Sequence, residues 1–362
     1  MTDTTETMVI IRCGNYTPLG ERAATSACSV RAGFTAMVRS KSYKDKSWEP
    51  VRIAVLADLN LNRDIWVHFR ALALPALKEA LQPLVGKREH RLEIPVIIGL
   101  PEPRPGLPKQ LGTGLAMHLS QLSLDLNLNL DFEFIEAGHT SGALALQSAR
   151  KKLKHHPFCV IGGVDSYLDT KTLRWLETET KRLKCGSNKN GFTPGQAAGF
   201  CLVSNQTVAK QWELEPEAII LAEAETKESS PFESGKFSTG LGLSSAIQQV
   251  LKTIPKETKI DQVYATLNGE RYTVQDFGYA VLNIGSRIGN PGECIAPHQC
   301  WGDIGAAAIP TLISLAVESG RKGYAKGPYN LITAGSLGNS RASVLLELEN
   351  KERVHWSLGK TS

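Results

Sequence analysis

Two segments set a polar side chain directly after a glycine at the head of a stretch rich in small residues. GHTSGALALQSA (138–149) offers His139, and GDIGAAAIPTLISLA (302–316) offers Asp303. Small residues at a helix start let backbones approach closely and leave the first N–H groups free to face a ligand or anion. Imidazole and carboxylate are also the side chains of general acid–base chemistry. A third segment, CIAPHQC (294–300), holds two thiols and His298, yet it lacks a fourth ligand and the spacing of zinc sites, so it reads as a loop beside a site. His155 and His156 follow RKKLK and read as helix-end capping or solvated side chains. The glycines of TGLGL and LGTGL open no strand–turn–helix unit at nucleotide-binding spacing. No cofactor or metal is expected.

The elements that must carry these residues alternate short apolar runs with longer amphipathic ones, the pattern of α/β architecture. Strands are predicted at 8–13, 94–100, 130–137, 158–164 and 197–204, with helices at 23–38, 66–83, 109–122, 141–154 and 168–183. A second half repeats the scheme, with strands near 217–225, 262–267, 329–334 and 342–348 and helices near 241–252, 273–284 and 304–318. The polar stretch 206–216 reads as the junction, giving halves of 1–210 and 211–362. Each glycine-headed helix is followed by a glycine-bearing strand, CVIGGVDS or LITAGSLGNS, which points to a duplication with a site on a pseudo-twofold axis.

The 362 residues are 42% hydrophobic and 21% charged, an ordinary globular composition that excludes intrinsic disorder as the main reading. A net charge of +5, from 41 basic and 36 acidic residues, is too small for a committed nucleic-acid binder. The basic residues cluster in RSKSYKDK, RKKLKHH, KRLK and RKGYAK, read as solvated helix ends or loops, with a docking patch for an acidic partner as the alternative. No apolar run reaches the roughly 18 residues of a spanning helix; IGAAAIPTLISLAV is broken by Pro310 and ends at Glu318, so no membrane partner is expected. Seven cysteines without framework spacing, behind an N-terminus lacking a charged n-region and apolar h-region, fit a reduced, cytoplasmic chain.

Several segments resemble the thiolase fold and, within it, the β-ketoacyl synthases. GNYTPLG (14–20) is similar to the GxVTPLG that follows the family's first strand. VIGGVDSYL (160–168) resembles the VAGGxE strand end, and NGFTPGQAAGFCLVSN (190–205) resembles DGFVxGEGAGxLVLE. GDIGAAAIPTLISLA is similar both to the GHxxAAAG helix of these enzymes and to the GNTSAASIP helix of the initiating synthases. SLGNSRASVLLELE (336–349) resembles the closing FGGTNAHVVLE. The matches run in the family's order from about residue 9 to 349, and they imply a duplicated five-layer αβαβα thiolase fold.

The resemblance also implies a changed site. The family's nucleophilic cysteine, which carries the acyl chain as a thioester at a helix start, falls on His139. Of the two groups that donate to the enolate oxygen, the first falls in the Thr266–Leu267–Asn268 neighbourhood, with no histidine. The second falls on Asp303, whose carboxylate would repel an oxyanion. The family's lysine falls on His298 and the acidic residue of GEGAG on Gln196. With the helix starts facing each other, His139 and Asp303 come close enough to pair, either as a plug for a former catalytic cavity or as a residual acid/base pair.

Three functions follow as expectations. The first is a non-condensing binding or adaptor protein, similar to thiolase-like proteins that accompany secreted-effector and type VI secretion components. The second is a partner of an active ketoacyl synthase, resembling a chain-length factor. The third is an acyltransferase using a non-standard residue such as Cys300 on an acyl carrier protein or coenzyme A thioester. The family pairs the third strands of its first halves, and LDFEFIEA, with Leu130, Phe132 and Phe134 on one face, implies a homodimer.

Overall fold

The structure is a computed structural model and describes residues 6–56, 64–87 and 92–349. The chain runs β1 (Met8–Tyr16), α1 (Ala23–Arg31), β2 (Met37–Lys44), β3 (Pro50–Ala54), α2 (Ile65–Leu81), β4 (Leu92–Leu100), α3 (Leu111–Asp125) and β5 (Leu128–Glu136). It continues with α4 (Ser141–Lys152), β6 (Phe158–Ser166), α5 (Thr170–Thr178), β7 (Gln196–Asn205), α6 (Gln206–Gln211) and β8 (Ala218–Lys227). Then follow α7 (Leu241–Leu251), β9 (Gln262–Ala265), α8 (Arg271–Ile284), α9 (His298–Trp301), α10 (Ala308–Arg321), β10 (Tyr329–Gly335) and β11 (Ser340–Leu348).

Nine strands join in the order β5-β4-β6-β7-β1-β8-β11-β10-β9. Read inward from each end, the order repeats. The first half gives third, second, fourth, fifth, first. The second half gives β9, β10, β11, β8, with Ile295 bridging Tyr264 of β9 where a third strand would lie. The halves meet where β1 pairs with β8 through Met8, Val9 and Ile10.

Helices α4 and α10 form the middle layer. α10 packs on β1, β6 and β7 of the first half and on β9, β10 and β11 of the second, while α4 touches β4, β5, β6, β8 and β11. Every residue of α10 from Ala308 to Ser319 is buried, as expected for a helix that is apolar all round. Ile309, Leu312, Ile313, Leu315 and Val317 each contribute roughly 1.5–3 kcal/mol by leaving water. Pro310 sits in the first turn, where its missing N–H costs nothing. Helices α2 and α3 cover the outer face of the first half, α7 and α8 that of the second. Strands β6 and β7 are buried at every position, as sheet centres covered on both faces are.

Several expectations change. The helix predicted for 23–38 stops at Arg31, and 37–54 is a β2–β3 hairpin whose buried Tyr43, Val51 and Ile53 pack on Leu173 and Leu176 of α5. The basic run RSKSYKDK therefore lies on a strand and its turn, not at a helix end. The helix predicted to reach 183 ends at Thr178, and the presumed junction opens with helix α6. No helix among the described residues is long and apolar enough to cross a membrane.

Candidate functional site

The two glycine-headed helix starts face each other across the middle layer. A Cβ on Gly142 would fall 2.7 Å from the Cβ of Ile309, and one on Gly163 would fall 2.0 Å from the carbonyl oxygen of Ala306. Only glycine permits this approach. It brings His139 and Asp303, both buried, into a hydrogen bond of 2.7 Å between Nε2 and Oδ1.

Asp303 is saturated. Oδ1 also accepts the Gly305 N–H at 2.9 Å, and Oδ2 accepts Asn268 Nδ2 at 2.8 Å. Asn268 donates as well to Glu270 Oε2 at 2.9 Å, and its Oδ1 accepts the Glu270 N–H and the Thr273 hydroxyl. Glu270 in turn takes both the Nε and Nη2 of buried Arg182, whose guanidinium lies against the rings of Phe192 and Phe232. Beside this chain, Arg104 donates to Asp165 Oδ1 at 2.5 Å, and Asp165 Oδ2 accepts the Ala306 N–H at the head of α10. Gly305 is fixed by this arrangement, because its φ is +50° and a Cβ would collide with Asp165 Oδ2.

Three carboxylates thus meet three cationic side chains in one buried cluster. Burial alone would push the His139 pKa down, but the charge and hydrogen bond of Asp303 outweigh it and hold the imidazole above its usual range. Burial would raise the Asp303 carboxyl, yet His139, Asn268 and Gly305 hold it far below the ordinary value. Both shifts favour the imidazolium–carboxylate form of the pair.

His139, Asp303 and Asn268 therefore form one connected unit. His298 lies on the other side of Asp303, in a second cavity with Trp301, and burial lowers its pKa despite the pull of Asp303. Gln196 accepts from buried His68 at 2.9 Å, away from the ion pair. Thr140 turns its hydroxyl to Ser336 and Ser340, and the Ser141 hydroxyl packs on Gly99, so neither presents a nucleophile beside His139. Cys300 lines neither cavity, and burial raises its thiol pKa; burial takes Cys294 up to about 12. Cys13, Cys159 and Cys201 are packed in β1, β6 and β7. Among the described residues no cluster of histidine, cysteine and carboxylate side chains could hold a metal.

The open space is small. The cavity between His139, Arg182, Asn268 and Ser336 measures about 30 Å³ and the one beside His298 about 20 Å³, room for a water or two and not for an acyl chain. Sequence reasoning missed Arg182, Glu270, Arg104 and Asp165. KRLK was expected to be solvated, but Arg182 is buried in an ion pair with a residue 88 positions away.

No family model and no curated protein matches the sequence. Solved structures do. A chain of "type II PKS acyl-carrier protein in complex with its ketosynthase bound to the hexaketide" is 12% identical at a TM-score of 0.76, covering 95% of this chain and 99% of that one. The ishigamide ketosynthase/chain length factor is 17% identical at a TM-score of 0.68, covering 94% and 99%. A β-ketoacyl synthase from Burkholderia phymatum STM815 is 14% identical at a TM-score of 0.69, covering 95% and 100%. Together with the repeated strand order and the paired central helices, these matches assign the chain the thiolase fold of the ketosynthases.

Proposed function

We propose that this chain is a non-condensing member of the ketosynthase-like fold, a binding or accessory protein with a closed former active site. The observation that carries the reading is the connected chain His139–Asp303–Asn268–Glu270–Arg182. Claisen condensation needs a nucleophile at the helix start and two donors for the enolate oxygen. Here the helix start holds an imidazole already hydrogen-bonded to a carboxylate, and that carboxylate would face the oxyanion. An acyl-imidazole, were one formed, hydrolyses readily and would not hold a chain for condensation. Incubation with malonyl and acyl thioesters of coenzyme A and acyl carrier protein, followed by intact-mass measurement, is expected to show no acyl adduct. A residual acid/base role for the pair requires a hydrolase activity that His139→Ala and Asp303→Ala both abolish while remaining folded.

The partner we favour is a second thiolase-fold chain. β5 is the outer strand of the sheet, with Phe132 and Phe134 half-buried, and the ishigamide neighbour is a ketosynthase/chain length factor. A homodimer, or a mixed dimer with an active synthase, would extend the sheet through β5. An adaptor for a secretion effector is separated from both by affinity purification, since it would retain a non-enzymatic protein.

A further inference from the structure

A mostly apolar cavity lies away from the His139–Asp303 cluster and shares no lining residue with it. It occupies about 320 Å³ between α1, the start of β9 and the C-terminal half of α10. That is some ten times the space beside His139 and falls at the lower end of ligand pockets. Its walls are the aliphatic side chains of Ala27, Val30, Ile295, Leu315 and Ala325. Tyr264 closes one side as a buried ring, its hydroxyl 3.4 Å from that of Ser319.

Two cations line this pocket, Arg31 and Lys326, and Lys326 is paired with Glu293. Arg31, in the last turn of α1, is exposed and stacks its guanidinium 4.0 Å over the Tyr324 ring, which itself lines the pocket. The nearby carboxylates are engaged elsewhere: Glu293 by Lys326, and Glu318 by Arg321. Arg31 has no carboxylate partner among the described residues. An aliphatic pocket with a preorganised, unneutralised guanidinium matches a ligand with a hydrocarbon tail and a single anionic head.

We propose that this pocket binds a medium-chain aliphatic monocarboxylate, with the tail among Val30, Ile295 and Leu315 and the carboxylate on Arg31. The walls offer methyl groups and no buried ion pair for the tail to displace, so affinity is set by chain length until the pocket is full. The site is independent of the closed cluster at His139 and stands whether or not that cluster is catalytic.

Calorimetric titration of the full chain with hexanoate, octanoate and decanoate tests this. Affinity should rise by roughly tenfold for each two methylenes and then level off. Octanol should bind several-fold more weakly than octanoate, and Arg31→Gln should remove that difference while keeping the dependence on length. Val30→Trp, at a half-exposed wall position, should abolish binding with an unchanged circular dichroism spectrum. Absence of saturable binding by the unaltered chain, or binding indifferent to both Arg31→Gln and Val30→Trp, would overturn the proposal. Sedimentation with phosphatidylglycerol vesicles, lost on Val30→Trp, would also overturn it, by making a bilayer lipid rather than a free acid the source of the tail.

Discussion

At the scale of residues, His139 and Asp303 form a buried pair whose members depend on each other. Removing one partner of such a pair costs about 3–5 kcal/mol, because a charge or polar group is left buried and uncompensated. Asp303→Asn should lower unfolding free energy by about that amount in urea titrations, and Asp303→Leu by more. Asn keeps an oxygen to accept from Gly305 or Asn268, whereas Leu orphans both donors. The pH dependence follows from the directions of the two shifts. His139 is raised in the folded state, so its contribution is complete below about pH 6.5 and is lost as pH climbs through the folded value. Asp303 is lowered, so its contribution is complete above about pH 4 and is lost only in strong acid. Stability should therefore decline as pH rises above about 6.5, and His139→Gln should flatten that slope. His139 and Asp303 were legible because each follows a glycine at a helix start. Arg182 and Glu270 were not, since nothing local in KRLK or NGER marks a pairing made by the folding of distant segments.

At the scale of elements, the site exists because α4 and α10 start almost in contact. Gly142 of α4 permits it against Ile309, and Gly163 of β6 lets the head of α10 sit on the sheet; Gly163→Ala should cost several kcal/mol or prevent folding, since the added methyl meets the backbone carbonyl of Ala306 with nothing able to yield. A thermal melt beside that of Gly33→Ala separates this from a conformational effect, because Gly33 has positive φ but open space around it. Most elements were legible from periodicity, and α10 from its small-residue head. The β2–β3 hairpin was hidden. Its exposed positions mix Arg39, Lys41, Lys44 and Arg52 with Val38 and Ser42, and the inward Tyr43, Val51 and Ile53 are too few and too widely spaced to set a period, so the run read as a helix end or loop. Lysines on so short a two-stranded sheet also discourage pairing with another chain.

At the scale of the whole molecule, a thiolase-fold body carries an internal hydrogen-bonded network of charged side chains where its two central helices start. If the β5 edge is used for assembly, sedimentation should give twice 39.4 kDa, and Phe132→Lys should shift the population to monomer without unfolding it. The most direct test of the closed site is release of carbon dioxide from a malonyl thioester, since decarboxylation needs only the donors to the enolate oxygen and no nucleophilic cysteine. With Asp303 facing that oxygen, release by the unaltered chain should stay at the rate of the thioester in buffer. Turnover above that rate that Asp303→Asn abolishes would contradict the account, because the carboxylate would then be performing chemistry rather than closing the site.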